Sequence, residues 1–195
     1  MIAIWAFVAA LHVSTPTAAE AERLARSGQH AAALDAFQAL AARDADDLES
    51  RVWMGRVLAW LGRRSEAAEV FADVVARAPG RIDARVGLGG ALVNLGRLDE
   101  ALAVIADAEA LAPQSSDVLA LKGRALRILG RPSDALHAYD AAFTASPTDG
   151  DVIARVPPET REQMQYVFSR LELHGAGLPF SIGITSSMSG EGVGF

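Results

Sequence analysis

Apolar and small residues recur along this chain at helical spacing, and four glycines divide them into blocks of equal length. The glycines are 34 residues apart, at Gly28, Gly62, Gly96 and Gly130. A leucine stands four residues before each glycine, on a segment that reads as the inner face of a first helix. A glycine that ends a helix in the left-handed conformation avoids a Cβ clash. The pattern therefore predicts two helices per block, joined at the glycine.

The residues after each glycine predict a second helix with the same register in every block. Side-chain oxygens that could cap this helix occur at Ser65, Asp99 and Ser133. Acidic residues follow where the helix dipole favours negative charge, at Glu66, Glu100 and Asp134. The first block has alanines there, so the N-terminus of its second helix should be less stable. Prolines end the second helices of the later blocks, at Pro79, Pro113 and Pro147.

Two further positions repeat with the glycines. A large apolar residue stands nine residues after each one, at Phe37, Phe71, Ile105 and Tyr139. Small residues stand seven positions before each turn glycine, at Ala21, Gly55, Gly89 and Gly123. Alanines stand five positions after each turn glycine, at Ala33, Ala67, Ala101 and Ala135. We expect the two small sets to face each other where the helices of one block approach.

A 34-residue helical hairpin with these small, large and proline positions resembles the tetratricopeptide repeat (TPR) family. Four copies are assigned, at 14–47, 48–81, 82–115 and 116–149. The resemblance implies an all-α solenoid that forms a right-handed superhelix, in which ligands lie against the first helices. It also implies a non-enzymatic scaffold that binds a segment of a partner protein.

The groove positions of the family, transferred to this sequence, are rich in arginine. The predicted partner-binding residues are Arg26, Arg56, Trp60, Asn94, Arg124 and Arg127. Arg56 and Arg124 stand at the same repeat position two copies apart, and guanidinium groups suit carboxylates. We therefore predict an extended acidic peptide as the ligand, with Trp60 as an apolar anchor. The alternative is a solvated arginine face, with Trp60 packed between copies.

Composition excludes several other functions. The net charge is −6, which argues against nucleic-acid binding. The chain has no cysteine, and its four histidines are scattered, so we expect no metal site. No Ser/His/Asp set falls on positions that the repeat brings together. We therefore predict no enzymatic activity and no cofactor.

The N-terminal residues 1–13 form an apolar run that is too short to span a bilayer. Small residues follow at Thr17, Ala18 and Ala19, so residues 1–19 are interpreted as a signal peptide cleaved after Ala19. This predicts a periplasmic or envelope-associated bacterial protein that meets the membrane only through its N-terminus. The run lacks a basic flank, and the alternative is a cytoplasmic protein whose apolar N-terminus packs on the first repeat.

The pattern changes after the fourth copy. Residues 150–177 predict a helical segment that caps the solenoid, and 178–195 predict a short strand and a Ser/Gly-rich tail. Residues 159–195 resemble the start of the P-loop domain of bacterial exopolysaccharide tyrosine kinases. Val193 and Gly194 stand where that loop needs Lys and Ser or Thr, so no ATPase is expected. The alternative function is a regulatory or truncated part of such a kinase system.

Overall fold

The computed structural model describes residues 16–146, which fold as α-helices joined by short turns. The helices are α1 (Ala18–Arg26), α2 (His30–Arg43), α3 (Leu48–Trp60), α4 (Arg64–Arg77), α5 (Ile82–Asn94), α6 (Leu98–Leu111), α7 (Ser116–Ile128) and α8 (Pro132–Ala145). The all-α prediction is confirmed. The predicted capping segment at 150–177, the strand at 178–195 and the apolar run at 1–13 lie outside the described residues.

Consecutive helices pair as hairpins, which we call copies one (α1 and α2), two (α3 and α4), three (α5 and α6) and four (α7 and α8). The turn glycine of each copy has a positive φ, between 73° and 79°, as the sequence predicts. In copy two the N–H of Gly62 donates to the carbonyl of Ala59 at 3.1 Å, and that of Arg63 donates to Leu58 at 2.9 Å. This paired bonding closes the end of α3.

The second helices begin earlier than the capping pattern predicts. α4 starts at Arg64, so Ser65 lies inside the helix, and the residue at the cap is Arg63, whose side chain caps no backbone N–H. The corresponding residues Asp99 and Ser133 also lie inside α6 and α8. The prediction of Ser/Asp caps is therefore wrong. The reason is geometric: the turn bonds end at the residue after the glycine, and the carbonyl of Arg63 already accepts from Ala67 at 3.0 Å.

Acidic residues in the first turn instead pair with the arginine that precedes the helix. Arg63 donates to both carboxylate oxygens of Glu66, at 2.7 and 2.5 Å, and Arg97 does the same to Glu100 at 2.7 and 2.6 Å. Arg131 donates to Asp134 at 2.7 Å. In copy one, α2 has neither an acidic first turn nor a side-chain cap. Copy one thus lacks the bond that the other three copies share.

The core is built from the large residue of each second helix. Phe37, Phe71, Ile105 and Tyr139 are each at most 2% exposed. A Cβ added to Gly55 would lie 2.8 Å from the ring of Phe71, and one added to Gly123 would lie 2.8 Å from the ring of Tyr139. Gly55 and Gly123 of the first helices therefore face large side chains of the second helices. The missing Cβ makes room for a ring.

Contacts between copies give the described hairpins a curved arrangement. The first helices touch each other in sequence, α1 with α3, α3 with α5 and α5 with α7. Within residues 16–146, the second helices contact only the first helices on either side of them. Because the first helices lie closer together, they form the inner face of this part of the chain. In the described part of the chain, no helix is long and apolar enough to cross a membrane.

Candidate binding groove

The inner face carries two rows of residues, and the members of each row are 34 residues apart in the sequence. The residues of the first row are Glu22, Arg56, Gly90 and Arg124. The residues of the second row are Arg26, Trp60, Asn94 and Ile128. The second row is largely exposed, and Trp60 retains 51% of its surface. Both rows belong to first helices, so they lie along one groove.

A cluster of aromatic side chains lies between copies one and two. Trp53 is 9% exposed, and its ring stacks on that of Phe37 at a centroid distance of 5.8 Å and an angle of 3°. Trp60 meets the edge of Trp53 at 6.5 Å and lies 5.2 Å from the ring of His30. Burial of two large rings beside an exposed third one makes a rigid apolar platform here.

Two arginines of the rows lie over the same tryptophan. The guanidinium carbon of Arg56 is 5.0 Å from the centroid of Trp53, and that of Arg26 is 5.5 Å from it. Both distances fall within the range of cation–π attraction. These contacts hold the two cations at the N-terminal end of the groove.

Carboxylates of the same chain balance part of this positive charge. Arg26 donates to Glu22 at 2.8 Å, and Arg56 lies 3.8 Å from Asp83 at the start of α5. Arg81 donates to both oxygens of Asp83, at 3.0 and 2.6 Å. These hydrogen bonds hold the pKa of Asp83 below its usual value although partial burial raises it, and Arg56 adds a smaller effect in the same direction as the hydrogen bonds.

A second polar contact crosses the groove between copies three and four. Arg124 on α7 donates through Nη2 to Oδ1 of Asn94 on α5. Arg127 lies near the hydroxyl of the fully buried Tyr139. Burial raises the pKa of that phenol, and Arg127 beside the hydroxyl opposes the rise, with a smaller contribution from the charge of Arg124.

The structure thus divides the six predicted site residues into three groups. Arg26, Arg56 and Trp60 meet around Trp53, and Asn94 meets Arg124. Arg127 lies outside both rows, because its repeat position is that of the buried Ala25 and Val93 in copies one and three. Arg127 itself is exposed and stands three residues after Arg124, which places the two arginines on the same side of α7.

Sequence reasoning did not assign Trp53, His30 or Asp83 to the site. Trp53 follows the helical spacing of Arg56 and Trp60, so it carried a signal that could have placed it on the same side of α3. Asp83 carried no such sequence signal, because it reaches the groove only through the packing of α5 against α3. An open concavity of about 580 Å³ lies along α1 and is lined by Ala19, Glu22, Arg23, Arg26 and Ser27. Across residues 16–146, no group of three or more acidic or histidine side chains could hold a metal ion.

A family model described as tetratricopeptide repeat matches residues 24–77 and 62–125, which together span more than half of the chain. The chain belongs to the tetratricopeptide repeat family. Members of this family generally act as scaffolds that bind proteins or peptides. A search of curated proteins by sequence finds no match.

Solved TPR structures share this fold. TTC0263, a thermophilic TPR protein of Thermus thermophilus, is 25% identical with a TM-score of 0.63, and the match covers 77% of this chain and 79% of that one. YrrB, described as a TPR protein with an unusual peptide-binding site, is 21% identical with a TM-score of 0.60 over 69% of this chain and 70% of its own. A fragment of MamA from Desulfovibrio magneticus RS-1 is 23% identical with a TM-score of 0.61, and the match covers 80% of this chain and 93% of the fragment.

The predicted kinase resemblance concerns the tail, at 159–195. These residues lie outside the described part of the chain, and the family match ends at residue 125. The comparisons do not support the resemblance, so no function is carried forward from it.

Proposed function

We propose that this TPR protein is a scaffold that binds an extended, acidic segment of a partner protein along the inner face of its first helices. The observation that carries the proposal is the placement of Arg56 and Arg124. They stand at the same position two copies apart, and each reaches across the groove to α5, Arg56 toward Asp83 and Arg124 to Asn94. A segment that lies along the groove would meet both guanidinium groups.

The contacts of Arg56 within the chain leave room for a ligand carboxylate. A guanidinium group has five N–H donors. The 3.8 Å separation of Arg56 from Asp83 is too long for a hydrogen bond, so this ion pair orients Arg56 without occupying its donors. A desolvated arginine–carboxylate contact contributes about 1.5–3 kcal/mol, whereas an exposed one gives under about 1 kcal/mol. Trp60 offers an exposed ring beside these cations for an apolar ligand side chain.

Peptide display tests the proposal. Random peptides displayed on phage are selected on the purified chain, and those recovered should be enriched in Asp and Glu. The affinity of the tightest peptide should fall roughly tenfold or more in Arg56→Ala and in Arg124→Ala, with a salt dependence. Trp60→Ala should weaken binding without changing the salt dependence.

The control is Arg97→Ala, which removes the same charge from the turn between α5 and α6. Arg97 is exposed and bonds to Glu100, away from both rows. The affinity of the Arg97→Ala variant for the peptide should match that of the wild type. Recovered peptides without acidic enrichment, or equal losses in Arg97→Ala and Arg56→Ala, would rule out a specific acidic site. If groove variants bind normally while substitutions on the second helices abolish binding, the partner uses the outer face.

We further propose that the scaffold works in the bacterial cell envelope. The apolar run at 1–13 and the small residues before Glu20 support export. Cleavage after Ala19 would also remove Thr17, whose hydroxyl accepts from the N–H of Glu20 at 3.2 Å and caps α1. Cell fractionation with N-terminal sequencing tests this. A mature chain that begins at Glu20 in the periplasm is expected, and a cytoplasmic chain that retains Met1 would contradict the proposal.

A further inference from the structure

Helix α5 contains three glycines, and packing explains two of them. A Cβ added to Gly87 would lie 2.7 Å from Cδ1 of Phe71 and nearer still to other atoms of that ring. A Cβ added to Gly89 would lie 3.0 Å from Leu121 and 3.2 Å from Ile105. At both positions a side chain would displace a neighbour from another helix. Gly87 is therefore required by the core, and a side chain at Gly89 would need Leu121 and Ile105 to shift by a few tenths of an ångström.

Packing does not require a glycine at position 90. A Cβ added there would meet nothing within 4 Å. Its φ is helical, so an alanine would fit the backbone without strain. A glycine inside a helix is nevertheless less stable than alanine by about 1 kcal/mol. The fold gains nothing from Gly90 that compensates for this loss.

The surroundings of Gly90 indicate what the missing side chain leaves open. The other members of its row are Glu22, Arg56 and Arg124, which all carry long side chains. On α5, Gly90 shares one face with Asp83 and Asn94, at helical spacings of seven and four residues. Arg56 approaches the Asp83 end of this face and Arg124 bonds at the Asn94 end. Gly90 is thus a gap of bare backbone between two guanidinium groups.

We propose that Gly90 is a contact window, at which the main chain of the bound acidic segment lies against the backbone of α5. The inference rests on the proposed function and adds the geometry of the ligand. Asp83 and Asn94 are eleven residues apart, which corresponds to roughly 16 Å along a helix. An extended peptide covers that distance in about five residues. The segment therefore carries two carboxylates about five residues apart, with small residues between them where it crosses Gly90.

The experiment separates folding from binding. Gly90→Ala and Gly90→Leu are compared with wild type in urea unfolding and in affinity for the tightest acidic peptide recovered by display. Both variants should be at least as stable as the wild type, because each improves helix propensity. Affinity should fall about tenfold in Gly90→Ala and further in Gly90→Leu. Recovered peptides should show the spacing of about five residues between acids.

The matched control is Gly80→Ala, in the turn before α5. A Cβ there also meets nothing within 4 Å, so the same methyl group is added outside the window. Its affinity should equal that of the wild type. If Gly90→Leu binds normally while Arg56→Ala and Arg124→Ala do not, the window is wrong and the acidic site stands. If none of these substitutions affects binding, both proposals fail. A loss of stability in Gly90→Ala would show that Gly90 serves packing, which also overturns the window.

Discussion

The ring of Phe71, on the second helix of copy two, occupies the space beside Gly87, on the first helix of copy three. An added Cβ on Gly87 would lie within 2.7 Å of the ring, and the ring also fills the space beside Gly55 of its own copy. One buried aromatic side chain therefore joins two consecutive copies. Stability in a repeat array depends on such interfaces between neighbours.

Gly87→Ala should destabilise the protein. Overpacking of a filled core costs about 1–3 kcal/mol, which exceeds the roughly 1 kcal/mol that alanine gains in helix propensity. Urea unfolding measures the net loss, which the difference between these two effects puts at up to about 2 kcal/mol. Phe71→Leu combined with Gly87→Ala should show a smaller loss than the two single changes added together. A Gly87→Ala variant as stable as Gly90→Ala would contradict this packing.

The two groove tryptophans should differ in their effect on stability. Trp53 is 9% exposed and stacks on Phe37, so Trp53→Ala should cost about 3–5 kcal/mol. Trp60 is 51% exposed, and Trp60→Ala should cost about 1 kcal/mol or less. Chemical denaturation of both variants checks the difference. Equal losses would mean that Trp60 serves the core, which would remove it as a ligand anchor.

Asp83 should make stability depend on pH in the acid range. Hydrogen bonds from Arg81 lower the folded-state pKa of Asp83 below its ordinary value of 3.8. A lowered folded pKa contributes stability above the unfolded value, and this contribution is lost as the pH falls through the folded value. Asp83→Asn should therefore be less stable than the wild type at pH 7, and the difference should shrink below about pH 4.

Urea unfolding at pH 7 and at pH 3 measures this difference. Asp35→Asn, an exposed substitution on α2, makes the same change in net charge and serves as the control. A deficit in Asp83→Asn that stays constant between the two pH values would show that the ion pair with Arg81 contributes nothing to folding.

The repeat register was readable from the sequence because backbone constraints impose it. A left-handed turn requires glycine, so four glycines at equal spacing locate four turns, and each has the expected positive φ. The large position nine residues later is buried in every copy for a similar reason, since one side chain per hairpin must fill the space between helices. These positions depend on local geometry repeated along the chain.

The tertiary structure alone decided how the side chains of different copies combine. Arg56 and Arg124 share a repeat position, yet one faces Asp83 and Trp53 and the other bonds to Asn94. Gly89 and Gly90 are neighbours of the same residue type, and only the packing of α6 and α7 shows that a side chain at Gly89 would press on Ile105 and Leu121 while one at Gly90 would meet nothing. Long arginine side chains select partners across helices by distance, and a missing Cβ has meaning only through the atoms around it. Neither property is present in the order of residues, because both arise when separate copies pack.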